Sequence, residues 1–286
     1  MAIDWQTLRA LLIDCPAGKE TVVEDAVESR GISLDTAIIS HWDADHYGGI
    51  IQIVDTLGVR SLRYNYDTFF DGTRGARALA VHRRLADDRY RHLEMGNAEE
   101  GAVGKIGNLS YTIAAPSRQT LHRALVHRDR NLASSVVFLE AHGSKIIVAG
   151  DADGRVWKAL VDKGVSLNSD VLRWPHHGAL THTNQGLDSA ALLHHVSPTH
   201  VIVSVGSQNR YRHPQEGFIE TIRDSNSHVM CTEVTPLCHS LSAREVRQCA
   251  GTVSVRLRQG GGILITPSIP KHRSTIAGWA HPRCQA

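Results

Sequence analysis

Residues 40 to 49, SHWDADHYGG, place two histidines and two aspartates in six consecutive positions, directly after the apolar run TAIIS. No other stretch constrains the chain as strongly. In an extended segment residues two apart share a face, so His41 and Asp43 aim at one point, while Asp45 and His46, as the chain turns into a helix, aim at another. Imidazole and carboxylate donors split in this way suit a pair of divalent cations. Held about 3.5–4 Å apart, such a pair binds both the attacking hydroxide and the leaving oxygen of a displacement reaction. Gly48 and Gly49 let the next helix begin close to that point without side-chain clash. The bland alternative is an aspartate N-cap flanked by solvated histidines, and the spacing is too specific for it.

The rest of the chain supplies a scaffold for such a site. It has 286 residues, 42% of them hydrophobic, enough for one large domain or two modest ones. LRALLID, TVVEDAVESR, TAIIS, YGGIIQIVDTLG and SLRYN alternate strand-like and amphipathic character, which is α/β architecture. After an Arg- and His-rich region between residues 72 and 131, SSVVFLEA and KIIVAGDADG read as a hairpin. Further elements follow: a helix near GRVWKALVDKG, a strand at DVLRW, a helix around 186–195, a strand at HVIVSVG and a helix at PQEGFIETIRDS. From residue 228 onward the text turns β-rich. The expected division is a core over 1–227 and a smaller β-rich, Cys-containing part over 228–286. No run of about 18 apolar residues occurs, and MAIDWQTLRA lacks the zones of a signal peptide, so the expected location is the cytoplasm, with no membrane role.

HWDADH resembles the H-x-[HD]-x-D-H signature of the metallo-β-lactamase fold, and four further stretches resemble that family in order. LLIDCPAG is similar to its strand and Asp-bearing turn, VAGDA to its Gly-Asp motif at Asp151, RWPHHGA to its later His motif, and SVGSQNRYRHP to a stretch of one branch, the hydrolase domain of ComEC-type competence proteins. The resemblance covers about residues 8 to 230. It implies an αββα sandwich with a small C-terminal extension, and two divalent ions (manganese or zinc, with magnesium third). By the resemblance Asp45, His46, Asp151 and a histidine of PHHG hold one ion, and His41, Asp43 and a bridging Asp151 the other. His176 is the favoured histidine, with His177 facing substrate; the order is open to reversal. The family's middle histidine falls at or near Asn131, so this chain departs there. One site is then poorer, and oxygen donors favour manganese or magnesium over zinc. Only seven residues precede Leu8, where the family usually has a further strand and turn.

A site of this kind attacks phosphorus or carbonyl carbon alike, so its surroundings decide. Net charge is only +2. Arginines are clustered, however: Arg74, Arg77, Arg83, Arg84, Arg89 and Arg91 in one region, Arg118, Arg123, Arg128 and Arg130 in another. On the rim of a metal centre they attract a phosphate backbone, unless ARALAVHRRLADDR is simply a solvated helix with Asp87 and Asp88 as partners. The ComEC-type resemblance implies cutting DNA, so the expected function is metal-dependent hydrolysis of DNA. Asp45, His177 and His213 are the expected catalytic side chains, His213 as proton donor to the leaving oxygen unless it is a structural turn residue before Pro214; Arg210 and Arg212 clamp phosphate. Trp42 and Tyr47 offer base stacking or core packing. The alternatives are hydrolysis of a small phosphodiester or lactone, and a catalytically silent DNA-binding or scaffold module. A targeting partner protein is a further expectation.

Four of the five cysteines lie after residue 230. Cys231, Cys238, His239 and Cys249 suit a closed structural zinc site, with Cys284 or His281 as substitutes for His239; the alternative is free buried cysteines. Cys15, in the LIDCP turn, reads as a small core residue.

Overall fold

The computed structural model describes residues 1–65, 72–181, 186–235, 237–238 and 248–269. The chain divides into two compact units, Met1–Val137 and Phe138–Ala286. In the first, β1 (Ala2–Asp4), β2 (Arg9–Ile13), β3 (Ser33–Ile38), β4 (Ser61–Arg63) and β5 (Glu94–Gly96) form a sheet in that order. β1 runs antiparallel to β2 and the rest are parallel. A first strand thus precedes β2 and pairs with it.

Parallel neighbours need crossovers. These are α1 (Glu20–Glu28), then α2 (Ala44–Tyr47) with α3 (Ile50–Leu57), then α4 (Gly72–Leu85). α3 buries Ile50, Ile51, Ile53 and Val54 on one side and ends at Gly58, whose φ of +64° is the left-handed conformation that glycine adopts without penalty. β3 is buried from Leu34 to Ile38, as a central strand covered on both faces must be. It nevertheless carries Asp35. Leu34 pairs with Ala10 and Thr36 with Leu11, so Asp35 is the extra residue of a bulge, and its carboxylate meets Arg9 and Arg60.

The Arg- and His-rich region is more regular than its sequence suggests. Besides α4 and β5 it holds the antiparallel hairpin β6 (Val103–Ile106) and β7 (Leu109–Ala115). α5 (Arg118–His127) follows, its first turn capped by Ser117 Oγ accepting Thr120 N–H at 3.1 Å.

In the second unit β8 (Val136–Ala141), inside which the division falls, and β9 (Ser144–Ala149) are joined by His142 and Gly143, both at positive φ, the two-residue hairpin geometry. β9, β10 (Val171–Arg173), β11 (His200–Val203) and β12 (His228–Cys231) then run parallel in that order. α6 (Gly154–Asp162), α7 (Ser189–Val196) and α8 (Phe218–Asp224) provide the crossovers. Asp153 and Asp188 cap the first two. Trp157, Trp174 and Phe218 are the largest fully buried side chains here, and the rings of the last two meet at 5.0 Å. β13 (Val253–Leu257) and β14 (Ile263–Pro267) form a separate antiparallel pair. The fold is α/β, with two mixed sheets and this small C-terminal one. Among the described residues no helix is long and apolar enough to cross a membrane.

Candidate metal centre

In the first unit the donors gather where β2 and β3 end. Ser40, His41 and His46 are buried. Asp14 directly follows β2 at a φ of +62° and ties Ser40 to His46: it accepts Ser40 N–H at 2.7 Å, Ser40 Oγ–H at 2.8 Å and His46 Nδ1–H at 2.8 Å. A proton held on Nδ1 by a carboxylate leaves Nε2 as the basic, ligating nitrogen. Ser40 Oγ and Ser134 Oγ stand 3.1 and 3.4 Å from His41 Nδ1. The two imidazole centroids are 4.1 Å apart. A ligand atom of His41 lies within 4.8 Å of one of His46, and the same holds for Asp45 and His46.

Asp43 opens α2 but makes no side-chain cap bond. Its Oδ2 lies 3.7 Å from His41 Nε2 and its Oδ1 3.3 Å from Arg130 Nη1. Burial pushes its pKa up, and the neighbouring His41 and Arg130 outweigh that, so it is held below the usual carboxylate range. Arg130 and Asn131 belong to the loop before β8, which Asp129 Oδ1 organises by accepting Asn131 N–H at 3.1 Å. The Gly-Gly pair is explained directly. A Cβ on Gly48 would fall 2.9 Å from Ala17 Cβ, and one on Gly49 2.9 Å from Cys15 Sγ. Trp42 and Tyr47 are both in the core, so neither presents a face for stacking on a base. Cys15 is buried as expected, and burial first, then Glu20 and Asp14, pushes its thiol up to about 12.

In the second unit Asp151 is buried just past β9. His176 Nε2 lies 3.8 Å from its Oδ2 and His177 Nε2 3.8 Å from its Oδ1. Both histidines have left-handed backbones, φ 49° and 55°. For non-glycine residues this costs about 1–2 kcal/mol each, a geometry retained where side chains have a task. Gly178 is required at φ +94°, since a Cβ there would come 2.8 Å from Pro214 Cβ; the HHG and RYRHP stretches thus pack on each other. His177 Nδ1–H is donated to Ser204 O at 2.8 Å. Asn209 brackets His213, its Oδ1 accepting the backbone N–H at 2.6 Å and its Nδ2 donating to the carbonyl at 2.8 Å. Burial, then His176 and His177, lowers the pKa of His213 to about 4.

Arg77, Arg83, Arg84, Arg89, Arg91, Arg118, Arg123 and Arg128 are exposed, Arg84 pairing with Asp55 and Arg118 with Glu99. The side chain of Arg74 lies outside the described residues. Arg210 and Arg212 are exposed too, with Arg210 4.7 Å above the Tyr211 ring. Cys231, Cys238 and Cys249 are all buried. Cys249 N–H bonds to Thr232 O at 3.0 Å and Ala250 N–H to Cys231 O at 2.9 Å. Burial and then Cys238 push the Cys249 thiol up to about 11. His239, His281 and Cys284 lie outside the described residues.

Two side chains, Asp14 and Ser40, and one backbone carbonyl, that of Ser204, had no assigned role in the sequence. Asp14 was legible only as an acid ending an apolar strand, and Ser40 and Ser204 had no signal beyond adjacency to motifs.

The sequence model described as the metallo-beta-lactamase superfamily matches residues 4–205. Competence protein ComA of Neisseria gonorrhoeae is 26% identical over 231 residues, 79% of this chain and 28% of that protein. ComE operon protein 3 of Bacillus subtilis (strain 168) is 23% identical over 215 residues, 75% of this chain and 25% of that protein. The chain thus spans about a quarter of the length of these curated relatives. Among solved structures, Zn(2+)-bound PqqB from Methylobacterium extorquens superposes with a TM-score of 0.51 at 13% identity, over 80% of this chain and 84% of that one. That likeness is one of fold.

Proposed function

We propose, from the premise that the chain belongs to the metallo-beta-lactamase superfamily, that this metal-dependent hydrolase cuts phosphodiester bonds in DNA. The observation that carries the reading is the pair of oriented imidazoles. His46 and His177 each have Nδ1 committed, to Asp14 and to Ser204 O, which leaves Nε2 as a metal ligand. The donor set of imidazole nitrogens and carboxylates fits a divalent cation of the zinc or manganese kind. When bound, such an ion supplies Lewis acidity and lowers the pKa of water. The Nδ1 bond favours His177 over His176 as ligand. His41, Asp43, Asp45, His46 and Asp151 keep the ligand roles that the family resemblance implies, and Asn131 remains the weak position.

Support for DNA comes from the ComEC-type motifs, from relatedness to a competence protein, and from the exposed arginines, which suit a polyanion. His213 keeps its proposed place as the group that protonates the leaving oxygen, and Arg210 and Arg212 are proposed to clamp phosphate oxygens. The test is cleavage by metal-stripped protein of single- and double-stranded DNA with added Mn²⁺, Mg²⁺ or Zn²⁺, with Asp45→Ala as control. Metal-dependent cleavage lost in the variant is expected. Folded, metal-loaded protein that leaves DNA intact but turns over a small diester would overturn the substrate assignment.

A further inference from the structure

We infer that Arg130 supplies part of the positive charge of a second cation, so that the chain holds one divalent ion firmly, on His46, and a second on the His41–Asp43 side only weakly. The inference rests on the metal-centre reading above and concerns its stoichiometry. Three observations carry it. Arg130 Nη1 is 3.3 Å from Asp43 Oδ1, with the two side chains only 13% and 27% exposed, and a guanidinium keeps its charge at any relevant pH. Asn131, beside Arg130, stands where the resemblance calls for an imidazole, so the loop offers an amide and a cation in place of a metal ligand. Its course is pinned by Asp129 Oδ1, which accepts the N–H groups of Asn131 and Leu132 at 3.1 and 3.4 Å. The carboxylate beside His41 is therefore already paired with a positive charge, whereas the carboxylate beside His46, Asp14, is spent on orienting the imidazole.

A full charge at this distance moves an ionic equilibrium by about one to three powers of ten. A metal ion sharing Asp43 with Arg130 is weakened by that factor relative to one bound through His46. The guanidinium then provides part of the positive charge that a second ion would bring to a phosphate oxygen.

Equilibrium dialysis of the metal-stripped full chain against Mn²⁺, without DNA, tests this. Wild type is expected to bind one ion tightly and a second at least about tenfold more weakly. Arg130→Gln should bind two tightly, Arg130→Lys one, and Asp43→Asn should retain the tight ion. His46→Ala should lose it. Two ions of equal affinity in the wild type would overturn the inference, as would loss of the tight ion in Asp43→Asn. Wild type and Asp43→Asn keep the inference refutable even if Arg130→Gln does not fold. Because no DNA is present, failure of the nuclease reading shows separately, as metal-loaded protein without cleavage.

Discussion

Asparagine in place of Asp14 would keep the shape of the turn after β2 while removing the charge that positions His46. Three donors converge on this carboxylate at 2.7 to 2.8 Å: Ser40 N–H, Ser40 Oγ–H and His46 Nδ1–H. The amide retains one acceptor oxygen, which serves Ser40 N–H, and sets an NH₂ group against His46 Nδ1. The imidazole must then either lose the bond or move its proton to Nε2, the atom proposed to bind metal. A hydrogen bond to a charged group is worth about 1.5–3 kcal/mol, which corresponds to one or two powers of ten in affinity. The same range, about 10–100-fold, is typical when the partner of a ligating histidine is removed. The assay is competition for Zn²⁺ or Mn²⁺ against a chromogenic chelator, with far-ultraviolet circular dichroism to show that Asp14→Asn is folded. Affinity within about twofold of wild type in a folded variant would refute the assigned tautomer and, with it, the role of Asp14.

The bulge at Asp35 makes a pH-dependent contribution to stability. Burial raises its pKa, and hydrogen bonds from Arg60 and Arg9 outweigh that, holding it at about 2 against 3.8 unfolded. A lowered folded-state pKa means stability fully present above 3.8 and lost as pH falls toward 2. The difference amounts to roughly 2 kcal/mol, reduced toward about 1 by the solvent that screens the exposed arginines. Denaturant unfolding of wild type and Asp35→Asn should show a gap at pH 6 that closes by about pH 2; a gap that is the same at both pH values counts against the pairing. At the C-terminal end, Cys231, Cys238, His239 and Cys249 are proposed to hold a structural zinc ion. A thiol-specific mercurial should release one zinc per chain, and less from Cys238→Ser, whose thermal midpoint should fall. Complete thiol titration without any zinc release would exclude the site.

Legibility in the sequence followed the distance over which each feature is encoded. β3 and its HWDADH continuation were readable because the apolar run and the donors are adjacent in the chain. Asp14 and His46 are 32 residues apart, and their meeting depends on the register of β2 against β3, which includes a bulge that no periodicity shows. β6 and β7 were missed although Gly107-Asn108 between them is a hairpin pair, because VGKI contributes too few apolar residues to announce a strand. Arg130 was counted among the rim arginines. A side chain's direction out of a loop is set by neighbours such as Asp43, and nothing in the local text turns it inward. Trp42 and Tyr47, beside the ligands in sequence, are drawn into the core by α3 and α4, with Trp42 against Tyr64 and His82.

In the first unit, the ends of β2 and β3 that lead away from the bulge carry the candidate metal donors, whereas Arg9, Arg60 and Glu94 join Asp35 near the starting ends of their strands. Tuning durability and tuning reactivity are therefore separable tasks for selection or for an engineer. Variants that survive heating should accumulate around the arginine–carboxylate lattice, and variants with altered metal or substrate preference around residues 14, 40–46 and 130. A library randomised at only one pole should move one property and leave the other near its starting value.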